Sequence, residues 1–200
     1  MLLTKIHIPT TGNNVVQRSA LYEKLNIGLS RKLILVSAPA GFGKTTLISD
    51  WIGQQKIPTA WFSLDKADND LVEFLNYIVS EIQGIHKDFG ESALKLLHSP
   101  NKPSSESIIN LLINEMLDID QNFLLVLDDF HVIESNEVLK TVTYLLEHIP
   151  ANIHLVILTR SDLTFSISRL RSQHQVIELR SSDLSFSAND ISVLFNKKLK

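Results

Sequence analysis

The 200-residue chain contains no cysteine. Disulfides, thiolate zinc sites and cysteine nucleophiles are therefore excluded. Long apolar runs are also missing. The longest uninterrupted one, Phe123–Leu127, is far short of the ~20 residues a membrane-spanning helix needs. Met1–Thr10 holds one lysine and too few apolar residues for a secretory signal, so a cytoplasmic location is expected. Positive charge is not in excess: 19 Lys and Arg face 22 Asp and Glu, for a net charge of -3 and a pI near 6.1. That balance argues against direct nucleic-acid binding by this segment. The histidines show no paired metal spacing, and no Gly-x-Ser-x-Gly element is present, so neither zinc nor a serine nucleophile is assigned. What remains is 44% hydrophobic and 20% charged residues, the profile of a chain that buries a core. The length suits one domain spanning residues 1–200.

With only seven glycines in the chain, two of them placed two residues apart stand out: Gly41 and Gly43. They follow the apolar run from Lys32 to Ser37 and precede a segment with helical periodicity, which predicts a strand, a glycine turn and a helix. Further strands are predicted at Thr59–Ser63, Phe123–Leu127, His154–Leu158 and Gln175–Leu179. Between them, Leu71, Phe74, Leu75, Ile78, Val79 and Ile82 repeat at helical spacing behind Asp68 or Asp70 as cap. Ile108, Leu111 and Leu112 do so behind Ser104 or Ser105, and Val138, Leu139, Val142, Leu145 and Leu146 form a third helix. Ser187–Asp190 reads as the cap of a fourth, ending near Lys200, and Leu97–Ser105, with Pro100 and Pro103, as a loop inside a helical insertion between the second and third strands. Such alternation predicts an α/β fold with a parallel sheet. Apolar strands such as Phe123–Leu127 predict helices on both faces, hence three layers.

The run Ala38-Pro39-Ala40-Gly41-Phe42-Gly43-Lys44-Thr45-Thr46 matches the P-loop pattern, with Ala38 in place of its first glycine. Backbone N–H groups must close around phosphate oxygens there, and small residues permit the approach. Lys44 is expected to reach the terminal phosphates and the Thr45 hydroxyl to bind Mg²⁺, with the following helix aiming its positive end at the same anion. Pro39, Ala40, Gly41, Phe42, Gly43 and Thr46 complete the expected nucleotide contacts. Five apolar residues and two carboxylates, Asp128 and Asp129, supply the second element. Asp128 would bind Mg²⁺ and Asp129 would polarise the attacking water.

The fourth strand ends in Thr159-Arg160. If that strand lies between those bearing Lys44 and Asp128, Arg160 faces the γ-phosphate as a sensor. This requirement predicts the strand order 2-3-4-1-5. His131 is either a contact near the cleft or packing. Arg169, Arg171 and Arg180 form a mild positive cluster, read as a solvated or interdomain face. No Asn-Lys-x-Asp element exists, so adenine is favoured over guanine.

These residues together resemble the nucleotide-binding, NB-ARC-like domain of the STAND ATPases, in the MalT-like branch of the large LuxR-family transcriptional regulators. The likeness runs over about residues 4 to 196. It includes Lys5-Ile-His-Ile-Pro9, Val15-Val16-x-Arg18-x-x-Leu21, the phosphate loop through Trp51, Trp61-x-Ser-Leu-Asp65, Asp68-Asn69-Asp70, Asp128-Asp129-x-His131, Leu158-Thr-Arg160, Leu170-Arg171 and Leu184-Ser-Phe186. The resemblance implies an ATP/ADP switch with slow hydrolysis, ADP holding a closed monomer and ATP with inducer allowing self-association. It implies downstream domains in the same chain, DNA binding through a C-terminal helix-turn-helix outside these residues, and no membrane partner. It places Val16 and Arg18 at the adenine and ribose edge, Lys44, Asp129 and Arg160 in hydrolysis, and Thr45 and Asp128 on Mg²⁺. An AAA+-like ATPase that couples turnover to work on a partner is the alternative.

Overall fold

Apolar side chains that alternate across a strand need cover on both faces, and this chain supplies it with helices. The computed structural model describes residues 5, 7–10, 16–99, 104–186 and 190. Its strands are β1 (Leu33–Ser37), β2 (Thr59–Ser63), β3 (Phe123–Asp128), β4 (Ile153–Thr159) and β5 (Val176–Arg180). All pair in parallel, in the order β2-β3-β4-β1-β5, which is the order predicted. Compared with the predicted bounds, β3 continues through Asp128, β4 runs from Ile153 to Thr159, and β5 is displaced by one residue.

The helices among the described residues are α1 (Ser19–Gly28), α2 (Lys44–Gln54), α3 (Leu71–Gln83), α4 (Glu91–Leu97), α5 (Ser105–Leu117), α6 (Asn136–His148), α7 (Ser168–Ser172) and α8 (Ser181–Leu184). The insertion between β2 and β3 is helical, as expected. Asp70 caps α3 by accepting from the N–H groups of Val72 and Glu73, and Ser104 caps α5 through Ser107. Helices α1, α7 and α8 were not predicted. α1 has Arg18 at its N-cap with no side-chain cap bond, and α7 has five residues. Of the predicted Leu97–Ser105 loop, Leu97 ends α4 and Ser105 opens α5; its residues 100–103, Ser187–Asn189 of the expected cap, and residues 191–200 lie outside the described residues.

On one face of the sheet Leu33, Leu35, Leu125, Leu127, Leu155 and Ile157 pack beneath α3 to α6. On the other, Ile34, Val36, Leu124, Val126, Val156 and Leu158 meet Leu25 of α1, Ile48 and Trp51 of α2, and Leu184 of α8. Full burial of each such side chain contributes about 1.5–3 kcal/mol, which fixes the sheet as the rigid platform for its loops.

Two polar devices secure the β2 edge. The outward N–H of Trp61 donates to Oε2 of Glu81, a buried α3 carboxyl, at 3.0 Å, so the edge donor is satisfied. Burial pushes Glu81 up to about 7, opposed by that bond. Beyond the strand, Lys5 Nζ lies 2.9 Å from both Asp68 oxygens and 2.8 Å from Asp65. It sits over the Tyr77 ring at 4.7 Å. Asp68 is fully buried, so the pair ties the early segment to the turn after β2.

Candidate functional site

β1 ends at the carboxyl edge of the sheet, and the chain passes through Ala38 to Gly43 into α2. Gly41 and Gly43 take φ values of 83° and 74°. A Cβ at either would meet nothing within 4 Å, so backbone conformation rather than crowding selects glycine. Gly43 is the N-cap of α2 and makes no side-chain cap bond. The first-turn N–H groups of Lys44, Thr45 and Thr46 therefore point out of the positive helix end without intrahelical partners. Pro39, Ala40, Gly41, Phe42, Gly43 and Thr46 are exposed, leaving the loop accessible. Exposed glycine-turned backbone ahead of unpaired helix N–H groups has the form of a phosphate cradle.

Lys44 lies at its floor, buried, with Nζ donating to the carbonyls of Ala38 at 2.7 Å and Pro39 at 3.1 Å. Burial and the nearby Arg160 charge lower its pKa against the pull of Asp129 and Asp128. Thr45 Oγ1 donates to Asp128 Oδ2 at 2.9 Å. Asp128 closes β3 at 4% exposure, and its Oδ1 accepts the N–H of Asp129 at 2.8 Å. Burial raises the Asp128 pKa, although the Thr45 and Asp129 hydrogen bonds oppose it. A buried carboxylate beside a hydroxyl, at the mouth of an anion cradle, is a hard oxygen pair of the kind that fits Mg²⁺.

Asp129 leaves the strand with φ 55°, in the left-handed region that Asp enters more readily than most residues. Arg160, the residue after β4, approaches Asp129 Oδ1 to 3.4 Å. His131 Nδ1 lies 3.6 Å from the same oxygen, too far for a hydrogen bond, and that nitrogen is buried without a partner. Burial, then Arg160, lowers the His131 pKa. The structure thus brings Lys44, Thr45, Asp128, Asp129 and Arg160 together at the ends of three adjacent strands.

Val16 is buried. Arg18 donates to the carbonyls of Asp183, Leu184 and Ser185. It also lies 3.6 Å from Asp190 and 5.2 Å from the Phe186 ring. Among the described residues it makes no hydrogen bond to the phosphate loop. In the basic cluster Arg171 pairs with Glu178, and Arg180 with Glu178 and Asp162. Sequence reasoning missed the reach of Asn69, which bonds to Val132, Glu134 and Ser135. The sequence marked Asn69 only within the Asp68-Asn69-Asp70 element, and nothing along the chain indicated its partners.

Fold and site together define a three-layer α/β P-loop NTPase. A family profile described as "AAA domain" matches residues 28–174, and the chain belongs to that family. It is related to the nucleotide-binding module of MalT-like transcriptional regulators. The "HTH-type transcriptional regulator MalT" of Klebsiella pneumoniae is 31% identical over 199 residues, covering 100% of this chain and 22% of the relative. That of Vibrio parahaemolyticus is 29% identical over 196 residues, covering 98% and 22%. The chain therefore spans 22% of the length of these curated relatives.

Among solved structures, a Walker-type ATPase of Pyrococcus abyssi superposes with a TM-score of 0.57 at 15% identity, over 95% of this chain and 61% of that one. A chain of the Drosophila ORC structure with AT-rich DNA and Cdc6 gives 0.52 at 12% identity, over 87% and 57%. These likenesses are of fold. Among the described residues no helix is long and apolar enough to cross a membrane.

Proposed function

We propose that the chain is an ATP/ADP-binding switch module with slow, Mg²⁺-dependent ATP hydrolysis, the N-terminal part of a LuxR-type transcriptional regulator. The observation that carries this reading is the 2.9 Å contact between Thr45 and Asp128 beside the glycine-turned loop and Lys44. Thr45 and Asp128 would hold Mg²⁺, which when bound neutralises charge on the terminal phosphates. Lys44 exchanges its bonds to the Ala38 and Pro39 carbonyls for phosphate oxygens. The backbone N–H groups of Ala40 to Thr46 grip the remaining oxygens, with Pro39 shaping the loop ahead of them. Asp129 orients a water and accepts its proton as the water oxygen attacks phosphorus and the bond to ADP breaks. Arg160 stabilises charge on the departing phosphoryl group. Val16 and Arg18 belong to the base and ribose side, where Arg18 also fixes the chain after α8.

Asp129 and Arg160 pair with each other at 3.4 Å, so Arg160 must turn from Asp129 to engage a γ-phosphate while Asp129 keeps its place. The names and lengths of the relatives support a parent chain with downstream domains and with DNA binding outside this segment; self-association in the ATP- and inducer-bound form rests on the family resemblance alone. The AAA-domain match favours a second reading, an AAA+-like ATPase driving work on a partner. Phosphate release from ATP by the 200-residue chain, with and without Mg²⁺, tests the first. Slow Mg²⁺-dependent release is expected. Absence of release refutes the hydrolytic half, and fast release favours the engine.

A further inference from the structure

Asn69 ends the 3-10 turn Lys66–Asn69 that follows β2. Its carboxamide closes onto the segment just past the two aspartates. Nδ2 donates to the Val132 carbonyl at 2.9 Å and to that of Lys66 at 3.1 Å. Oδ1 accepts from the N–H groups of Glu134 at 2.7 Å and Ser135 at 2.8 Å. A primary amide offers two donor hydrogens and two acceptor lone pairs, and all four are used here. Val132 in turn donates its N–H to the Asp129 carbonyl at 3.1 Å. A bonded path therefore runs from Asn69 through Val132 to the one residue of the acidic pair that sits at positive φ. Such a conformation persists only when surrounding bonds determine it.

The turn that carries Asn69 is itself anchored. Asp68 accepts the Asp65 N–H at 2.7 Å and the buried Lys5 ammonium. Asn69 thus bridges two fixed bodies, the end of β2 and the start of α6 (Asn136–His148).

We propose that Asn69 is a positioning residue for ATP hydrolysis, clamping residues 132–135 and so holding Asp129 where it can orient water beside Arg160. The proposal rests on the ATPase reading above. Its test compares wild type, Asn69→Ala, Asn69→Asp and Asp70→Ala. Asp70→Ala removes the α3 cap one residue along without touching 132–135. Turnover, ATP affinity and amide hydrogen exchange without nucleotide are measured for each.

In Asn69→Ala, kcat should fall about tenfold or more, as for small misplacements of a reacting group. ATP affinity should stay within about twofold, the change a remote turn makes when the phosphate contacts are intact. Exchange at Glu134 and Ser135 should accelerate. Asn69→Asp keeps the acceptor and loses the donor, so it should fall between. Asp70→Ala should keep wild-type kcat and accelerate exchange at Val72 and Glu73.

Unchanged turnover in Asn69→Ala overturns the proposal. So does an equal loss in Asp70→Ala, or a joint loss of affinity and turnover, either of which marks a merely structural role. Unchanged exchange over 132–135 overturns the clamp itself. A wild type that fails to turn over ATP while the clamp responds refutes the ATPase reading and removes the catalytic half of the proposal.

Discussion

Replacing Glu81 with Gln should abolish one specific part of the pH dependence of stability. Glu81 is buried on α3, with Oε2 holding the edge N–H of Trp61 at 3.0 Å. In the unfolded chain it titrates near its ordinary 4.5, and in the folded chain burial raises it to about 7. Between those values the folded chain retains a proton that the unfolded chain has released. Stability from this group is therefore complete below about 4.5 and is lost as pH rises through about 7. The full shift corresponds to an upper bound of about 3 kcal/mol. An open groove lined by Thr59, Ser80 and Gly84 admits water to the carboxyl, which brings the expected loss to about 2 kcal/mol.

Glutamine keeps an acceptor for Trp61 and carries no charge. Glu81→Gln should thus match wild type near pH 4.5, where the wild-type carboxyl is protonated in the folded chain. By pH 8 it should be more stable by about 2 kcal/mol, or about 4–8 °C in the unfolding midpoint for a chain of this size. Urea unfolding of both proteins across that range gives the difference directly. Carboxylates held low by partners, such as Asp65 beside Lys5, contribute the opposite slope to both curves and cancel. Parallel stability profiles for the two proteins would refute the reasoning.

Asp129→Asn should retain nucleotide binding, because the phosphate cradle and the Thr45–Asp128 pair are untouched, and should lower turnover by about a hundredfold or more. Single-turnover phosphate release checks it, and undiminished release would assign the water to another residue. Asp68→Ala leaves Lys5 with only the half-exposed Asp65 and strips the Asp65 N–H of its acceptor. It should cost about 3 kcal/mol of unfolding free energy, and a loss below about 1 kcal/mol would mean that solvent screens the pair.

The sheet order was legible because the chemistry of three strand ends constrained it: Lys44, Asp128 and Arg160 act together only if β4 separates β1 from β3. Strand bounds were less legible. Asp128 is polar, yet it remains in β3 because it pairs in register with Ser63, a relation invisible along the chain. Helix α1 escaped because only Leu21, Tyr22, Leu25 and Gly28 of its residues are buried and no capping side chain announces it. The strand, glycine turn and helix around Gly41 and Gly43, and the place of Asp128 and Asp129 at a strand end, were readable from local pattern, since their backbone demands are local. The bonds of Asn69 and Arg18 were not, because their partners lie far along the chain and are brought near only by the fold. The ion pair of Lys5 with Asp68 was hidden for the same reason.

The central claim is that the loop from Pro39 to Thr46, with Lys44 at its floor, binds the phosphates of ATP and ADP. Calorimetric titration of the 200-residue chain with each nucleotide, with and without Mg²⁺, tests it most directly when repeated on Lys44→Ala. Lys44→Ala removes the Nζ bonds to the Ala38 and Pro39 carbonyls, so its unfolding transition is measured first and the titration is read only on the folded variant. Micromolar binding of both nucleotides by wild type, abolished in the folded variant, is the predicted result. Equal affinity in Lys44→Ala, or no binding by the folded wild-type chain, would contradict the claim.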